Sequence, residues 1–364
     1  MTDRVLVFVD ALPYQERERL AREVPALTWA RAIEPGFGYS LNVKSELFAG
    51  LAPDQAGFLN EWTYRPGRGI TKVGYPRWFD RLVSATWLGS RVVRRVLAKL
   101  YGESLRNIPL PLLTDLDRDG VNAYERGFPH ESVFTEFEVE RFLYSEFGSD
   151  GAAFEALLRR LDTDERPVKA FLATAELDHV LHVHAVNSPE YEAELKVVIG
   201  RMNELLSALQ RRGEGARVCL VSDHGMASVH SEVTFELDTA LPGAGKSYGL
   251  FVDATMARVW SRDEAVLERA RSFAGDIPGH YLDAEERRAW GISSPEFGDL
   301  VFLLDEGYLF VPSFMGDAGV KAMHGYDPRL DSQKGLLAAN VPVVDEGEVV
   351  PARAAYQGFR NFFS

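Results

Sequence analysis

Val218-Cys219-Leu220-Val221-Ser222-Asp223-His224-Gly225-Met226 reads as an apolar strand that runs out into a carboxylate, an imidazole and a glycine. A buried strand normally ends in turn residues. This one ends in two side chains that ligate metals, where a parallel sheet meets solvent. In open α/β sheets, ligands bind at those carboxyl ends. Fold and function both turn on whether other strands deliver further ligands to the same edge.

Two do. Arg4-Val5-Leu6-Val7-Phe8-Val9 is a continuous apolar run that ends in Asp10, the pattern of a first buried parallel strand. Val168 to Thr174 is a second run, followed closely by Asp178 and three histidines, His179, His182 and His184. Between them, Tyr14 to Arg31 has a helical distribution of charged and apolar residues. Ser40 to Ala49 reads as a helix with Ser40 at its start and Gly50 as its stop. Pro189 to Arg212 is a long amphipathic helix that feeds the strand at Arg217. This βαβ alternation predicts a mostly parallel sheet.

From Trp62 to Glu165 the texture changes to aromatics and arginines with scattered Pro and Gly. Helices are expected at Arg81–Tyr101 and Gly151–Leu161. The expectation is one catalytic α/β domain over 1–364, with 62–165 as a cap inserted in it. After Met226 the chain turns β-rich, with strands expected at Ser247–Ala254, Ala257–Ser261, Asp299–Leu304 and Tyr308–Pro312. His324 then sits in a turn-like stretch, His324-Gly325-Tyr326-Asp327.

Composition bounds the chemistry. The 364 residues carry a net charge of −14, which excludes a nucleic-acid polymer bound through a basic face. An anionic substrate would need local positive charge, and metal ions supply it. The one cysteine, Cys219, rules out an intramolecular disulfide. There is no signal-peptide pattern and no apolar stretch long enough to span a bilayer. The expected setting is cytoplasmic, away from membranes.

Two motifs are decoys. Ala240 to Ser247 resembles a P-loop, but Ala240 stands where the first Gly belongs and Tyr248 to Val252 looks like a strand rather than a helix. Asp115-Leu116-Asp117-Arg118-Asp119-Gly120 imitates a calcium loop, but Arg126 stands at the closing glutamate position.

The acids and histidines at segment ends are Asp10, Asp178, His182, Asp223, His224 and His324. Asp178 and His182 lie four apart, on one helical face. Six such ligands from four segments are the inventory for two zinc-like ions. Ser40 faces the free N–H groups and positive dipole of a helix start. It is either an N-cap or a metal-activated nucleophile.

These residues together resemble the alkaline phosphatase superfamily, in its nucleotide pyrophosphatase/phosphodiesterase branch. Gly50-Leu51-Ala52-Pro53 fits the branch's glycine segment, and Ser40 lies ten residues before Gly50, as the nucleophile does there. Asp178 to His182, Ser222 to Met226 and His324 to Asp327 match its three metal-site motifs. The resemblance implies an alkaline-phosphatase-like core: a mostly parallel central sheet with helices on both faces and a helical cap insertion. It implies two divalent ions, zinc first and Mn or Fe as substitutes. One is assigned to Asp178, His182 and His324; the other to Asp10, Asp223, His224 and the Ser40 oxygen. It implies cleavage of a phosphodiester or pyrophosphate in a small phosphorylated substrate through a phosphoseryl intermediate. Asn60 corresponds to the asparagine that holds a phosphoryl oxygen.

The chain departs from the branch's pattern at four places. Leu41 replaces the aromatic that stacks on a base, Asn42-Val43 replaces Pro-Asn, and Ala56 replaces a histidine. Lys44, one turn after Ser40, is where related sulfatases put a basic residue. There it would bind a non-bridging oxygen and favour a phosphate monoester. The alternatives are therefore a monoester phosphatase with the same site and a non-catalytic zinc-binding protein.

Overall fold

The computed structural model describes residues 2–66, 99, 108, 112–113, 115–118, 120–245, 247–345 and 347–364. The helix expected at Arg81–Tyr101 lies outside these apart from residue 99. The chain divides into two compact units. One comprises 1–56, 121–228 and 327–364; the other comprises 57–120 and 229–326.

The first unit is built on a seven-stranded sheet. In chain order its strands are β1 (Arg4–Val9), β2 (Trp29–Glu34), β3 (Glu140–Leu143), β4 (Lys169–Thr174), β5 (Arg217–Val221), β6 (Gly335–Ala339) and β7 (Val349–Pro351). Their order across the sheet is β7-β2-β6-β5-β1-β4-β3. The β3, β4, β1 and β5 strands are mutually parallel, β7 runs parallel to β2, and β6 is antiparallel to both its neighbours. The expected mostly parallel sheet is therefore present. Every residue of β1 from Val5 to Val9 is buried, the mark of a strand covered on both faces.

The longer described helices of this unit are α1 (Arg17–Glu23), α2 (Ser40–Ala49), α3 (Asp150–Thr163), α4 (Glu176–His184), α5 (Pro189–Arg212) and α6 (Ala352–Phe363). The helix expected over Tyr14–Arg31 ends at Glu23. Pro25 cannot continue it, and Trp29–Glu34 instead forms β2, paired with β6 on one side and β7 on the other. The α5 helix starts as its sequence dictates: Ser188 accepts from the Tyr191 N–H at 3.1 Å and Pro189 fills the first turn. The stretch expected as an insertion, 62–165, is shared between the units. From Val121 on it belongs to the sheet unit, where β3 forms the edge and α3 packs nearby.

The second unit has a four-stranded antiparallel sheet ordered Gly249–Val252, Met256–Trp260, Leu300–Leu304, Gly279–Tyr281. Trp62–Tyr64 pairs with Leu116–Arg118, so the middle of the calcium-loop look-alike is a strand. Gly249 likewise continues the P-loop look-alike into a strand. No described helix is long and apolar enough to cross a membrane.

The α2 helix is buried on all sides from Asn42 to Ala49. Gly50 closes it in the left-handed region, φ 70°, and returns its N–H to the Glu46 and Ser45 carbonyls. Its packing is aromatic. Phe48 meets Phe8, Tyr124, Phe134, Phe171 and Phe359 at centroid distances of 5.1–6.4 Å. Two charged residues share this interior, Lys44 and Glu46. Glu46 fits only because Gly36 has no Cβ, which would overlap its carboxyl group. Burial pushes the Glu46 carboxyl up to about 7, although Arg353 at 3.4 Å and Asn42 pull it back down.

The sign of the pH effect follows. Between the unfolded carboxylate range and pH 7 the folded protein binds the extra proton, so stability falls as pH rises through that window. Ionised, buried Glu46 then costs on the order of 3 kcal/mol above pH 7. Glu46→Gln is expected to raise the melting temperature at pH 8 and leave it nearly unchanged at pH 5. Equal shifts at both pH values would show that Glu46 does not titrate in the fold.

Candidate active site

The three central strands, in the order β5-β1-β4, end side by side. Val9 pairs with Thr174 and Phe8 with Val221. Asp10 follows β1 directly, Asp223 lies two residues past β5, and Asp178 lies four past β4. The sheet register alone thus brings carboxylates from three segments to one edge.

Backbone geometry aims them. Ala11 is held at φ 60°, rare for a residue with a Cβ, and its N–H donates to Asp223 Oδ1 at 3.4 Å. The His224 N–H donates to the same oxygen at 3.1 Å. Asp223 Oδ2 is left buried with no hydrogen bond, and so is Asp10 Oδ1. Gly225 lets the His224 loop lie against the approach to β6. A Cβ there would overlap the Ser332 carbonyl and come within 2.9 Å of the Lys334 carbonyl, while its N–H donates to the Gln333 carbonyl at 2.9 Å.

The His224 ring is set by its surroundings. Nδ1 lies 2.9 Å from the Gly225 carbonyl, which can only accept, so Nδ1 carries the proton and Nε2 offers its lone pair. Nε2 is 3.5 Å from both Asp10 Oδ1 and Asp223 Oδ2. Ser222 Oγ donates to the His224 carbonyl at 2.9 Å and fixes the loop.

Ser40 is the first residue of α2. The N-cap position is Tyr39, with no side-chain cap bond. The capping role is therefore absent, and the Ser40 hydroxyl donates to His224 Nε2 at 2.7 Å. Lys44, one turn on, donates to Asp10 Oδ2 at 2.7 Å and lies 3.8 Å from Asp223 Oδ2, with its side chain only 5 % exposed. A surface lysine is excluded.

Burial, Asp223 and Asp178 all push the Asp10 carboxyl well above the usual range, and Lys44 offsets only part of this. Burial works to discharge Lys44, but Asp10, Tyr124 and Asp223 outweigh it and hold the ammonium well above its usual pKa. One ammonium therefore serves two buried carboxyl groups, Asp10 and Asp223. The cluster contains two carboxylate oxygens without hydrogen bonds and one imidazole lone pair, on Asp10, Asp223 and His224, all within 4.8 Å of one another. That donor set fits a divalent, zinc-like cation, with Ser40 Oγ beside it.

The remaining residues fall in two groups. On α4, Asp178 Oδ1 and His182 Nε2 face one another at 3.3 Å, as their four-residue spacing requires. Asp150 positions that helix: its carboxylate accepts from the Ala175 N–H at 3.1 Å and the Glu176 N–H at 2.9 Å. Asp150 escaped the sequence reading because its partners lie 25 residues away. The only local signal is a Ser149-Asp150 helix start.

Asn60 and His324 lie in the second unit, both buried. There Asn60 donates one N–H to Asp253 Oδ2 at 2.6 Å, and its carbonyl accepts from Arg258 Nη2 at 3.1 Å and the Trp62 N–H at 2.9 Å. His324 precedes Gly325, φ 86°, whose carbonyl accepts from Thr255 Oγ1 at 2.7 Å. His184 lies 3.8 Å from Glu190 on the surface, and His130 bonds the Ala56 carbonyl at 3.0 Å.

The sequence profile of the family described as type I phosphodiesterase / nucleotide pyrophosphatase matches residues 81–327. Among solved structures, murine ectonucleotide pyrophosphatase / phosphodiesterase 5 is similar over 100% of this chain and 95% of its own, with a TM-score of 0.67 and 15% identity. The human protein of the same name matches with a TM-score of 0.66 and 13% identity, over 99% of this chain and 95% of its own. An inactive variant of the murine protein in complex with AMP gives 0.65 and 14%, over 99% and 95%. These likenesses carry the alkaline-phosphatase-like fold. No curated protein matches the chain in sequence.

Asp223→Ala removes a buried carboxylate oxygen of the candidate metal centre, and elemental analysis of the purified variant should find less bound metal than in the wild type. Unchanged stoichiometry would take Asp223 out of the centre. Gly225→Ala should destabilise the fold by about 2 kcal/mol or more, read by denaturant unfolding, because the Cβ meets backbone that cannot yield.

Proposed function

The chain belongs to the type I phosphodiesterase / nucleotide pyrophosphatase family of hydrolases, and from that premise we propose that it cleaves a phosphodiester or pyrophosphate by nucleophilic attack of Ser40. The observation that carries this reading is the contact of Ser40 Oγ with His224 Nε2 at 2.7 Å, in a cluster where one ammonium serves two buried carboxyl groups. A serine serving only the helix would bond to the helix. This one bonds to the metal-site histidine.

Asp10, Asp223 and His224 would hold one divalent ion beside Ser40. Asp178, His182 and His324 are assigned to a second ion from their motif order in the sequence. When bound, such ions lower the pKa of the attacking hydroxyl and stabilise the charge of the attacking and leaving oxygens. Zinc suits the mixed carboxylate and imidazole donors best.

The chain's own residues then have defined tasks. Ser40 Oγ, its proton released to solvent, forms the bond to phosphorus, and the leaving alkoxide or phosphate departs from the opposite side, giving a phosphoseryl intermediate. Water displaces Ser40 in a second in-line step. The N–H groups of Ser40 and Leu41, at the start of α2, would face developing equatorial charge. Asn60 keeps one N–H beyond the one given to Asp253, and it would hold a phosphoryl oxygen. Lys44 acts through Asp10, its bonded partner.

A small nucleotide is the leading substrate, supported by the AMP complex of the murine relative. Leu41 leaves no aromatic after Ser40 to stack on a base, so recognition of the base would come from elsewhere. A reducing, cytoplasmic setting, which the single cysteine suits, belongs to the same proposal.

Ser40→Ala should retain wild-type metal content and melting temperature while losing turnover of an aryl phosphodiester by about a thousandfold or more. Wild-type turnover in that variant would return Ser40 to a structural role. At matched leaving group, a bis-aryl phosphate should be hydrolysed faster than the aryl monophosphate. The reverse order would favour the monoesterase.

A further inference from the structure

Lys44 is a second cation source at the centre, and its geometry separates it from the ligand atoms. Its Nζ bonds Asp10 Oδ2 at 2.7 Å, while the other Asp10 oxygen faces His224 Nε2. Asp223 is divided in the same way: Oδ1 takes two backbone N–H groups, and Oδ2 faces Nε2 and lies 3.8 Å from the ammonium. Each carboxylate thus has one oxygen held by the protein and one presented to an ion. The lysine's surroundings fix it there. Nζ lies 5.0 Å from the Phe8 ring centroid and 5.9 Å from that of Tyr124, and its side chain is almost wholly removed from solvent.

We propose that Lys44 is the resident counter-ion of this centre, keeping the Asp10–Asp223–His224 cluster formed when the metal is absent and weakening metal binding when it is present. The inference rests on the metal reading above. Two buried carboxylates without a cation repel one another, and deleting one member of a buried ion pair leaves an uncompensated charge. The ammonium prevents both in the metal-free protein. In the loaded protein it shares Asp10 with a divalent ion and repels it through a low-dielectric interior. One residue therefore acts with opposite sign on the two states. The result is a centre that can lose and regain its ion without unfolding.

The alternative role is simple positioning, in which Lys44 only holds the Asp10 rotamer. Then removing it would weaken metal binding, and a neutral hydrogen-bond donor would restore it. The two roles predict opposite changes in affinity.

The test uses the full chain as wild type, Lys44→Met and Lys44→Gln, each produced with zinc and then stripped with a chelator. Melting temperatures of loaded and stripped forms and zinc affinity by chelator competition are the readouts. The expected result is tighter zinc binding in both variants, by about tenfold or more, with a wider gap between loaded and stripped melting temperatures than in the wild type. Equal or weaker binding, or an unchanged gap, overturns the proposal. Weaker binding in Lys44→Met that Lys44→Gln restores assigns Lys44 to positioning alone. Should neither variant fold, the wild type decides: it should stay folded when stripped and reload fully, and unfolding on chelation overturns the proposal. A loaded wild type that holds no zinc overturns the metal reading and this inference with it.

Discussion

The structure depends on an electrostatic constraint: Asp10 and Asp223, two carboxylates buried at neighbouring strand ends, must not face one another without a cation. Sheet register creates the problem, because β1 and β5 run parallel and finish within two residues of each other. Everything around the pair answers it. Backbone N–H groups take one oxygen of Asp223, Lys44 takes one of Asp10, and the strained Ala11 turn aims a donor that an extended backbone would not. What remains is a pair of carboxylate oxygens beside the His224 Nε2 that accepts from Ser40, and hard or borderline cations bind such donor sets.

The same constraint explains why α2 is unusual. A helix buried on all sides is expected to be apolar throughout, yet this one carries Lys44 and Glu46. Lys44 is there because the strand ends need its charge. Glu46 sits where nothing of that kind is required, and burial pushes its carboxyl up to about 7, so that it is half protonated near neutral pH. The two residues, one half-turn apart, show two answers to a buried charge: Lys44 is held by a buried carboxylate, whereas Glu46, whose partner Arg353 is partly exposed, is pushed toward protonation.

Much of this was legible in the sequence. Continuous apolar runs ending in Asp10 and in Asp223-His224 have the pattern of buried parallel strands, and the Asp178/His182 spacing already put both on one helical face. The end of the first helix was not legible, because Trp29–Glu34 has no strong strand pattern and becomes β2 only by pairing with β6 and β7, some 300 residues later. Residues 121–165 read as part of an insertion for a similar reason: β3 is an edge strand whose partner, β4, comes after the change in texture. The role of Lys44 was half legible. Its face was clear from Ser40, but its bond to Asp10 is a tertiary contact that spacing cannot reveal. Asp150 was missed on the same ground.

In the proposed reaction Ser40, which makes no capping bond, would carry the phosphoryl group. That step is tested most directly by acid-quenching the enzyme during turnover of a slow aryl phosphodiester and mapping its peptides by mass spectrometry. The account predicts a phosphoryl adduct on the peptide containing Ser40, which appears with substrate and disappears on its exhaustion. Undiminished turnover with that peptide unmodified at every time point would contradict it.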